Sequence, residues 1–388
     1  MSVGIDEISF YTSSYYFDLR TLAEIQETDP DKYYVGIGQE KMGMAAPDED
    51  IVTMAANAAL PLIENAGSDA VGTLLFATET GIDQSKAAGV YVHRLLGLGA
   101  NCRVVELKQA CYSATAALQM ACALVARQPQ RKVLVIASDV ARYDLNTPGE
   151  ATQGCGAVAM MISANPRLVS IDPEVGNYTE DVMDFWRPNY RTTALVDGKY
   201  STKIYLKSLK KAWENFSEVS PLSFGDLSRF CYHLPFSRMA QKAHQHLVKM
   251  NKVVMTPEQV EEQIEPTLSY NRIIGNSYTA SMYIGLCSLL ETCQDNLADQ
   301  RIGFFSYGSG SVAEFYSGRV VPGYEQHLHT AKHREMLDNR QSLSYDEYLN
   351  LYRYPNPTDG GEHELPHVTP GRFRLAAITH HKREYVTC

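Results

Sequence analysis

The sequence lacks any apolar run that approaches the roughly 20 residues a helix needs to cross a bilayer. The longest runs, such as Val71–Ala77 and Val133–Ala137, have only the length of a strand. The first residues, Met-Ser-Val-Gly-Ile-Asp-Glu-Ile, also lack the basic region and apolar stretch of a secretory leader. We therefore expect no membrane association and no signal peptide.

The sequence also has fewer basic than acidic side chains. Lysine and arginine total 35 against 45 aspartates and glutamates, which gives the 388 residues a net charge of −10. We expect no nucleic-acid partner, because binding a phosphate backbone requires clustered lysine and arginine. One anionic small molecule held by a local basic patch stays compatible with this charge.

The cysteines show no short regular spacing, and several lie inside apolar segments, as Cys122 does in Met-Ala-Cys-Ala-Leu. This pattern is typical of reduced, buried thiols in a cytoplasmic protein and argues against a disulfide framework. The eight cysteines are Cys102, Cys111, Cys122, Cys155, Cys231, Cys287, Cys293 and Cys388.

Helix and strand patterns alternate through the first half of the chain, which predicts an α/β fold with parallel strands and helices on both faces of the sheet. Apolar residues at helical spacing predict the helices, and short buried-strand patterns predict the strands. The predicted helices are Asp50–Asn65, Ser85–Leu96 and Ala114–Ala126, and the strands are Val71–Ala77, Cys102–Leu107, Val133–Ala137 and Gly156–Ser163.

The composition changes after Asn165. Residues 166–200 are polar and interrupted by proline and glycine, which predicts an extended excursion outside the core. Helices and strands then resume, so we expect two similar halves, residues 1–165 and 166–388. The predicted elements of the second half are helices Thr202–Phe216, Arg238–Met250, Pro257–Glu265 and Ala280–Cys293, strands Phe230–His233 and Arg301–Tyr307, and a surface loop at 354–366.

One cysteine stands where a predicted strand gives way to a helix rich in small residues. Cys111 lies in Gln-Ala-Cys-Tyr-Ser-Ala-Thr-Ala. Unpaired N–H groups and the helix dipole stabilise negative charge at a helix start, so this position predicts a lowered thiol pKa and a nucleophilic thiolate. The alternative is an inert buried cysteine.

Two acid/base candidates follow buried strands. Glu79 comes directly after the run ending at Ala77, where apolar surroundings can raise a carboxyl pKa for general acid or base work. His233 lies at the end of Phe-Cys-Tyr-His-Leu-Pro-Phe, where ligands of open α/β sheets gather. A solvated loop carboxylate and a hydrogen-bonded core histidine are the alternatives.

Two further turns are candidates for binding. Asn276, in Gly-Asn-Ser-Tyr-Thr, precedes a predicted helix and is either a turn residue or a hydrogen-bond donor. The glycine-rich turn around Ser309 follows an apolar strand and can present a backbone N–H to an oxyanion. Neither turn matches the dinucleotide fingerprint or the P-loop, so a nucleoside triphosphate site is not indicated.

Together these segments resemble the 3-hydroxy-3-methylglutaryl-CoA (HMG-CoA) synthase family of the thiolase superfamily, in its bacterial form. The resemblance spans residues 34 to 310 in the family's order. The matching segments are Tyr-Val-Gly-Ile-Gly-Gln-Glu-Lys-Met (34–42), Ala-Thr-Glu-Thr-Gly-Ile-Asp-Gln-Ser-Lys (77–86), Gln-Ala-Cys-Tyr-Ser-Ala-Thr-Ala (109–116), Thr-Gln-Gly-Cys-Gly-Ala-Val-Ala-Met (152–160), Asp-Phe-Trp-Arg-Pro (184–188), Val-Asp-Gly-Lys-Tyr-Ser (196–201), Tyr-His-Leu-Pro-Phe-Ser-Arg-Met (232–239), Gly-Asn-Ser-Tyr-Thr (275–279) and Phe-Ser-Tyr-Gly-Ser-Gly (305–310).

The resemblance implies a thiolase-like fold, two duplicated α/β halves in a five-layer αβαβα arrangement, usually as a homodimer. It implies condensation of acetyl-CoA with acetoacetyl-CoA and water to HMG-CoA and free CoA, in the mevalonate pathway. Cys111 is then the acetylated nucleophile and Glu79 the acid/base, while His233 polarises the acetoacetyl carbonyl. No separate cofactor is implied, because the CoA thioesters are substrates.

The resemblance also implies substrate contacts. Asn276 orients the acetoacetyl group, and the backbone of Ser309 completes an oxyanion hole with that of Cys111. Five further positions match contacts to the CoA ligand, and two of these five, Arg238 and Lys242, share one helix face as a basic pair. These positions are Asp29, Thr152, Ser201, Arg238 and Lys242.

Three rival functions stay open. A thiolase or ketoacyl synthase uses the same cysteine position, but with histidine and a second cysteine, histidine or asparagine instead of a base like Glu79. A silent CoA-binding homologue would keep the fold alone. A metalloenzyme is suggested by His327, His329, His333 and His380-His381, but their polar surroundings favour surface histidines and no metal site.

Overall fold

The computed structural model describes residues 1–388 and contains one large sheet, three small sheets and a series of helices. The strands are β1 (Val3–Thr12), β2 (Tyr15–Asp18), β3 (Lys41–Met44), β4 (Val71–Ala77), β5 (Arg103–Leu107), β6 (Lys132–Ala141), β7 (Gly154–Ala164), β8 (Val169–Thr179), β9 (Phe185–Trp186), β10 (Leu195–Val196), β11 (Arg229–Tyr232), β12 (Arg301–Gly308), β13 (Val312–Val320), β14 (Gln341–Ser342), β15 (Glu362–Glu364), β16 (Phe373–Thr379) and β17 (Lys382–Thr387). The helices are α1 (Leu19–Ile25), α2 (Asp31–Tyr34), α3 (Ile51–Ala66), α4 (Ala88–Leu95), α5 (Ser113–Arg127), α6 (Gly198–Val219), α7 (Arg238–Met250), α8 (Pro257–Glu262), α9 (Ser269–Ile274), α10 (Ser281–Thr292), α11 (Thr330–Asp338) and α12 (Tyr345–Tyr352).

The large sheet has the strand order β11-β12-β13-β8-β1-β7-β6-β4-β5. Only its outer strands pair in parallel: β4 with β5 and β6, and β11 with β12. The central strands are antiparallel. The prediction of parallel pairing is therefore wrong for the centre. Parallel neighbours need a crossover, which α4 and α5 supply for β4, β5 and β6, whereas the antiparallel neighbours β12 and β13 are joined by a short turn.

Helices cover both faces of the sheet and also fill the space between its two groups of strands. One apolar cluster packs α5 and α10 against β1, β6 and β7 on one side and against β12 and β13 on the other. A second cluster packs α3 and α4 onto the outer face of the first strand group, and a third packs α6 and α7 onto the second group. This arrangement confirms the predicted five-layer α/β fold.

Segment 166–200 does not lie outside the core as predicted. Its first part forms β8, which pairs with β13 and β1 in the middle of the sheet. Pro173 falls at a register irregularity between Ile171 and Val175, where a missing N–H does not interrupt the ladder. Gly176 is required because α6 crosses so closely that a Cβ there would come within 2.7 Å of the Phe216 Cα. Pro173 and Gly176, two of the prolines and glycines that suggested a loop, therefore lie within a strand.

The C-terminal segment returns to the first half of the chain. Strands β15, β16 and β17 form a small antiparallel sheet, and Phe373, Leu375 and Tyr385 pack into the cluster of α3 and α4. The division of the chain at residues 165 and 166 stays a prediction. No helix combines the length and the apolar character needed to cross a bilayer.

Candidate active site

Cys111 and Glu79 lie side by side. The Cys111 Sγ is 3.1 Å from the Glu79 Oε1, and the thiol donates to the carboxylate. Glu79 follows β4 by two residues, and Cys111 lies between β5 and α5. Because β4 and β5 are parallel neighbours, their carboxyl ends meet at one edge of the sheet, and the folding of these strands brings the two groups together.

A tight turn presents the Cys111 side chain. Ala110 has φ 43°, a left-handed conformation that costs a non-glycine residue about 1 kcal/mol. The turn is held by Ser113, whose hydroxyl oxygen accepts from the Gln109 N–H at 2.5 Å and which donates to the Ala110 carbonyl at 2.9 Å. Helix α5 therefore begins two residues after the thiol, and not at it.

The environment raises both pKa values of this pair. Burial, reinforced by the neighbouring Asp139 carboxylate, raises the pKa of Glu79 to about 8, as the sequence position predicts. Burial and the adjacent Glu79 also raise the pKa of the Cys111 thiol well above its ordinary value. The expected lowering of the thiol pKa is therefore wrong, because the sulfur is buried beside a carboxylate. The resting nucleophile is a thiol oriented by an acceptor.

Asp139, a residue not assigned from the sequence, fixes the Glu79 loop. One of its oxygens accepts the backbone N–H groups of Glu79 at 2.9 Å and Thr80 at 3.0 Å, and also the Thr78 and Thr80 hydroxyls. The other oxygen accepts from the Thr279 N–H at 3.1 Å and from its hydroxyl. The sequence does contain a pattern that could have identified Asp139. This residue follows the buried run Val133–Ala137 at the same spacing as Glu79 follows the run that ends at Ala77.

His233 lies just after β11, fully within the interior. Its Nδ1 is 3.0 Å from the Ser281 Oγ, and that oxygen accepts the Leu234 N–H at 3.2 Å. When the Ser281 hydroxyl donates to Nδ1, the proton of the neutral ring stands on Nε2. Burial lowers the pKa of His233 to about 3, so the imidazole stays uncharged at neutral pH. The ring can donate a hydrogen bond without adding charge.

The glycine turn after β12 packs directly on the Cys111 segment. The Gln109 side chain donates to the Ser309 carbonyl at 3.2 Å. A Cβ at Gly308 would lie 2.7 Å from the Tyr112 nitrogen, so this approach requires glycine. Ser309 is half-buried. The structure thus brings the predicted oxyanion turn beside the predicted nucleophile.

Asp184, also not assigned from the sequence, holds the other side of this turn. Its carboxylate is buried and accepts from the Tyr307 hydroxyl at 2.6 Å and from the Gly310 N–H at 3.0 Å. The Ser201 hydroxyl donates to it at 3.1 Å. Ser201, a predicted CoA contact, is therefore tied to the turn through one carboxylate.

Asn276 and Thr152 lie together at a second close approach. The Asn276 backbone N–H donates to the Thr152 carbonyl at 3.2 Å, and the Asn276 side chain accepts the Tyr278 N–H at 2.8 Å. Gly275 has φ 87° and permits this contact. Asn276 is buried and Thr152 is half-buried.

Three aromatic rings pack in the cluster that contains Cys111. Tyr143, Tyr278 and Phe185 are mutually tilted near right angles, with centroids 5.7 to 6.4 Å apart, and Cys111 packs in the same cluster. The Tyr278 hydroxyl is buried without a hydrogen-bond partner. Aromatic side chains therefore share one cluster with Cys111.

The remaining predicted residues lie on the surface. Asp29, Arg238 and Lys242 are exposed, and no hydrogen bond or ion pair joins any of them to Glu79, Cys111 or His233. Arg238 and Lys242 occupy α7, whose first residue donates its backbone N–H to the Ile37 carbonyl at 2.9 Å. The segment that begins at Asp29 thus runs alongside the start of α7.

The histidines that suggested a metalloenzyme are not surface residues as a group. His333 is buried, with Nδ1 2.7 Å from the Glu291 Oε1 and Nε2 accepting the Phe10 N–H. His329 lies 2.8 Å from the buried carboxylate of Glu7. The prediction of surface histidines is wrong here, because both residues anchor α11 to the core through carboxylates.

Comparison with known proteins gives consistent relationships over the whole chain. The family models described as "Hydroxymethylglutaryl-coenzyme A synthase N terminal" and "C terminal" match residues 1–167 and 248–356. A hydroxymethylglutaryl-CoA synthase of Enterococcus faecalis is 41% identical over 99% of this chain and 100% of its own length.

Solved structures agree. One described as HMG-CoA synthase complexed with CoA superposes with a TM-score of 0.94, at 39% identity over 100% of both chains. Another, MvaS in complex with 3-hydroxy-3-methylglutaryl coenzyme A, has a TM-score of 0.89, at 38% identity over 100% of this chain and 99% of that one.

Proposed function

The chain belongs to the hydroxymethylglutaryl-CoA synthase family, and we propose that its condensation reaction proceeds through an acetyl thioester on Cys111. The enzyme joins acetyl-CoA, acetoacetyl-CoA and water to give HMG-CoA and free CoA, a step of the mevalonate pathway. The observation that carries the proposed residue roles is the 3.1 Å contact between the Cys111 thiol and the Glu79 carboxylate.

In the first step the Cys111 sulfur attacks the acetyl-CoA carbonyl. The new carbon–sulfur bond forms as the bond to CoA breaks, and the thiol proton goes to the departing CoA sulfur. Glu79 accepts the hydrogen bond that orients the thiol. The oxyanion that develops on the acetyl oxygen is stabilised by the backbone N–H groups of Cys111 and Ser309, and donors placed before charge develops are worth several kcal/mol in such steps.

In the second step Glu79 removes a proton from the acetyl methyl group. A carboxyl with a pKa of about 8 is a far stronger base than an exposed carboxylate once it has lost its proton. The carbanion then attacks the acetoacetyl-CoA carbonyl, and the new carbon–carbon bond forms as the carbonyl π bond opens to an alkoxide. The proton held by Glu79 passes to this oxygen, which gives the hydroxyl group and restores the carboxylate. Water finally hydrolyses the thioester to Cys111, which releases HMG-CoA and restores the thiol.

His233 polarises the acetoacetyl carbonyl under attack. Ser281 sets the tautomer that carries the proton on Nε2, and the lowered pKa keeps the ring neutral, so it acts as a hydrogen-bond donor and not as a cation. Asn276 orients the same group from the adjacent turn.

The remaining substrate contacts follow the exposure of each residue. Asp29, Arg238 and Lys242 are exposed and suit the polar end of CoA, whereas Thr152 and Ser201 are half-buried and suit the part that enters the protein. The exposed pair Arg238 and Lys242 supplies the local positive charge that an anionic ligand needs on a chain of net charge −10. No further cofactor is proposed.

A homodimer and a cytoplasmic location complete the proposal. Strand β5 ends the large sheet, and its Val105 is 42% exposed, so one strand edge is open to pair with a second copy. All eight cysteines are free, as in reducing compartments. Light scattering with the Val105→Lys variant tests the dimer, which a charge at that edge should weaken.

Product analysis tests the function. Incubation with acetyl-CoA and acetoacetyl-CoA should give HMG-CoA and free CoA in equal amounts, and Cys111→Ala should give neither. Acetoacetyl-CoA formed from acetyl-CoA alone would instead indicate a thiolase. Binding of CoA without turnover would indicate a silent homologue.

A further inference from the structure

Glu314 is a buried carboxyl group that the proposed reaction does not use. It lies on β13 and is 2% exposed. Its Oε2 accepts the Tyr112 hydroxyl at 2.8 Å, and its Oε1 accepts the Gln119 amide at 2.6 Å. No lysine or arginine compensates its charge, and burial raises its pKa to about 7. A carboxyl group buried among neutral partners is costly, which suggests a specific role.

The two hydrogen-bond partners of Glu314 connect it to the segment that carries the nucleophile. Tyr112 directly follows Cys111, and Gln119 is on the same helix, α5, two turns further on. Glu314 therefore holds both the cysteine turn and the middle of α5 to a strand that is remote in sequence.

The same hairpin, β12–β13, also carries the oxyanion turn. Gly308 pairs with Val312 at the hairpin end, and Glu314 is two residues further along that strand. Two hydrogen bonds thus join the Cys111 segment to this one hairpin. Gln109 donates to the Ser309 carbonyl, and Tyr112 donates to Glu314. These contacts set how the sulfur lies relative to the oxyanion donor.

The cysteine turn needs such support. Ala110 holds a left-handed φ of 43°, and strained backbone of this kind persists only where its surroundings fix it from several sides. A displacement of about 1 Å between reacting groups is enough to slow an enzymatic step by two orders of magnitude.

We propose that Glu314 is a positioning residue that, through the Tyr112 hydroxyl, holds the Cys111 sulfur in register with the Ser309 backbone N–H for acetyl transfer. This inference rests on the proposed acetyl thioester at Cys111. Glu314 itself does not touch the substrate, so its removal should slow chemistry and leave CoA binding unchanged.

The test measures the rate of Cys111 acetylation by rapid mixing with acetyl-CoA and mass analysis, together with CoA affinity by calorimetry. Glu314→Leu should acetylate at least about tenfold more slowly than the wild type, with CoA affinity unchanged within about twofold. Glu314→Gln keeps an acceptor oxygen for Tyr112 and should recover most of the rate. Tyr112→Phe removes the same hydrogen bond from the other side, so adding it to Glu314→Leu should cause little further loss.

Glu291→Leu is the matched control. Glu291 is likewise a buried carboxylate that accepts a tyrosine hydroxyl, from Tyr270 at 2.6 Å, but its other partner is His333 and it holds α11. This variant should lose a similar amount of thermal stability and acetylate at the wild-type rate.

The outcomes separate the two proposals. If wild-type Cys111 is never acetylated, the proposed intermediate fails. If the wild type is acetylated and Glu314→Leu matches it, or if Glu291→Leu slows acetylation as much, the positioning role fails. A wild-type acetylation rate in Tyr112→Phe would also overturn it, because this variant removes the same hydrogen bond from Glu314. This variant, with Glu314→Gln beside it, decides the matter should Glu314→Leu not fold.

Discussion

One oxygen of the Asp139 carboxylate lies 2.9 Å from the backbone nitrogen of Glu79, so a buried negative charge supports the loop that carries the candidate base. The same carboxylate raises the pKa of Glu79 and also anchors Thr279, near the start of α10. Asp139 therefore controls both the position and the basicity of Glu79.

Replacement of Asp139 should separate these two effects. Asp139→Asn keeps an acceptor oxygen and removes the charge, so the pKa of Glu79 should fall below about 8. The pH midpoint of condensation by acetyl-enzyme should move down accordingly. Asp139→Ala leaves several buried donors unpaired and should lower the free energy of unfolding by on the order of 3 kcal/mol, measured by urea denaturation. An unchanged midpoint in Asp139→Asn would contradict this assignment.

The pH dependence of the wild type follows from the same pKa. Only the deprotonated form of Glu79 can take the methyl proton, so the rate of condensation by preformed acetyl-enzyme should rise with pH and level off above about 8. Single-turnover measurements with acetoacetyl-CoA from pH 6 to about 9.5 give the profile. His233 should add no inflection, because its pKa is lowered to about 3. A rate that is flat across this range would remove Glu79 as the base.

His233 should matter for one half-reaction more than for the other. His233→Ala removes the donor to the acetoacetyl carbonyl, so condensation should slow by about 100-fold or more while acetylation of Cys111 changes little. Ser281→Ala is the companion variant, since it frees Nδ1 and should slow condensation less. Equal loss in acetylation and condensation would indicate that His233 only supports the fold.

The close approach at Gly308 gives a steric prediction. A methyl group there would lie 2.7 Å from the Tyr112 nitrogen, so Gly308→Ala must displace the turn or the cysteine segment. Acetylation should slow by about tenfold or more, and the melting temperature should fall. Gly225→Ala is the control, because the nearest atom to its added methyl is 3.8 Å away and both properties should stay unchanged. Normal acetylation by Gly308→Ala would show that the turn does not constrain the nucleophile.

Local sequence patterns predict a helix or strand correctly where the spacing of apolar residues within the segment is regular. Strand β4 and helix α7 have the predicted bounds, Val71–Ala77 and Arg238–Met250, because apolar spacing and flanking residues agree there. The helices α3, α5 and α10 differ from prediction by one residue at each end.

Strand β8 is an element that local sequence patterns do not predict. Its Pro173 and Gly176 are typical of a loop, and only the crossing of α6 and the irregular pairing with β13 give them a place in a strand. Both features depend on partners remote in sequence. Strand β13, which pairs on both sides, was likewise not predicted.

In the site, too, local sequence patterns predict some features and not others. The positions of Glu79 and Cys111 at neighbouring strand ends follow from the sequence, because parallel pairing brings them together. The raised thiol pKa does not, since it depends on burial and on how near Glu79 lies. His333 and Glu291 are separated by 42 residues, so their pairing, which overturns the expected surface histidine, was also invisible in the sequence.

The most direct measurement is the intact mass of the protein after brief mixing with acetyl-CoA alone, followed by peptide mapping, in the wild type and in Glu79→Gln. One acetyl group on Cys111 should appear in both, because glutamine keeps an acceptor oxygen for the thiol. Addition of acetoacetyl-CoA should then discharge it to HMG-CoA in the wild type only. An acetyl group absent from Cys111, or discharged equally well by Glu79→Gln, would contradict the roles assigned to these two residues.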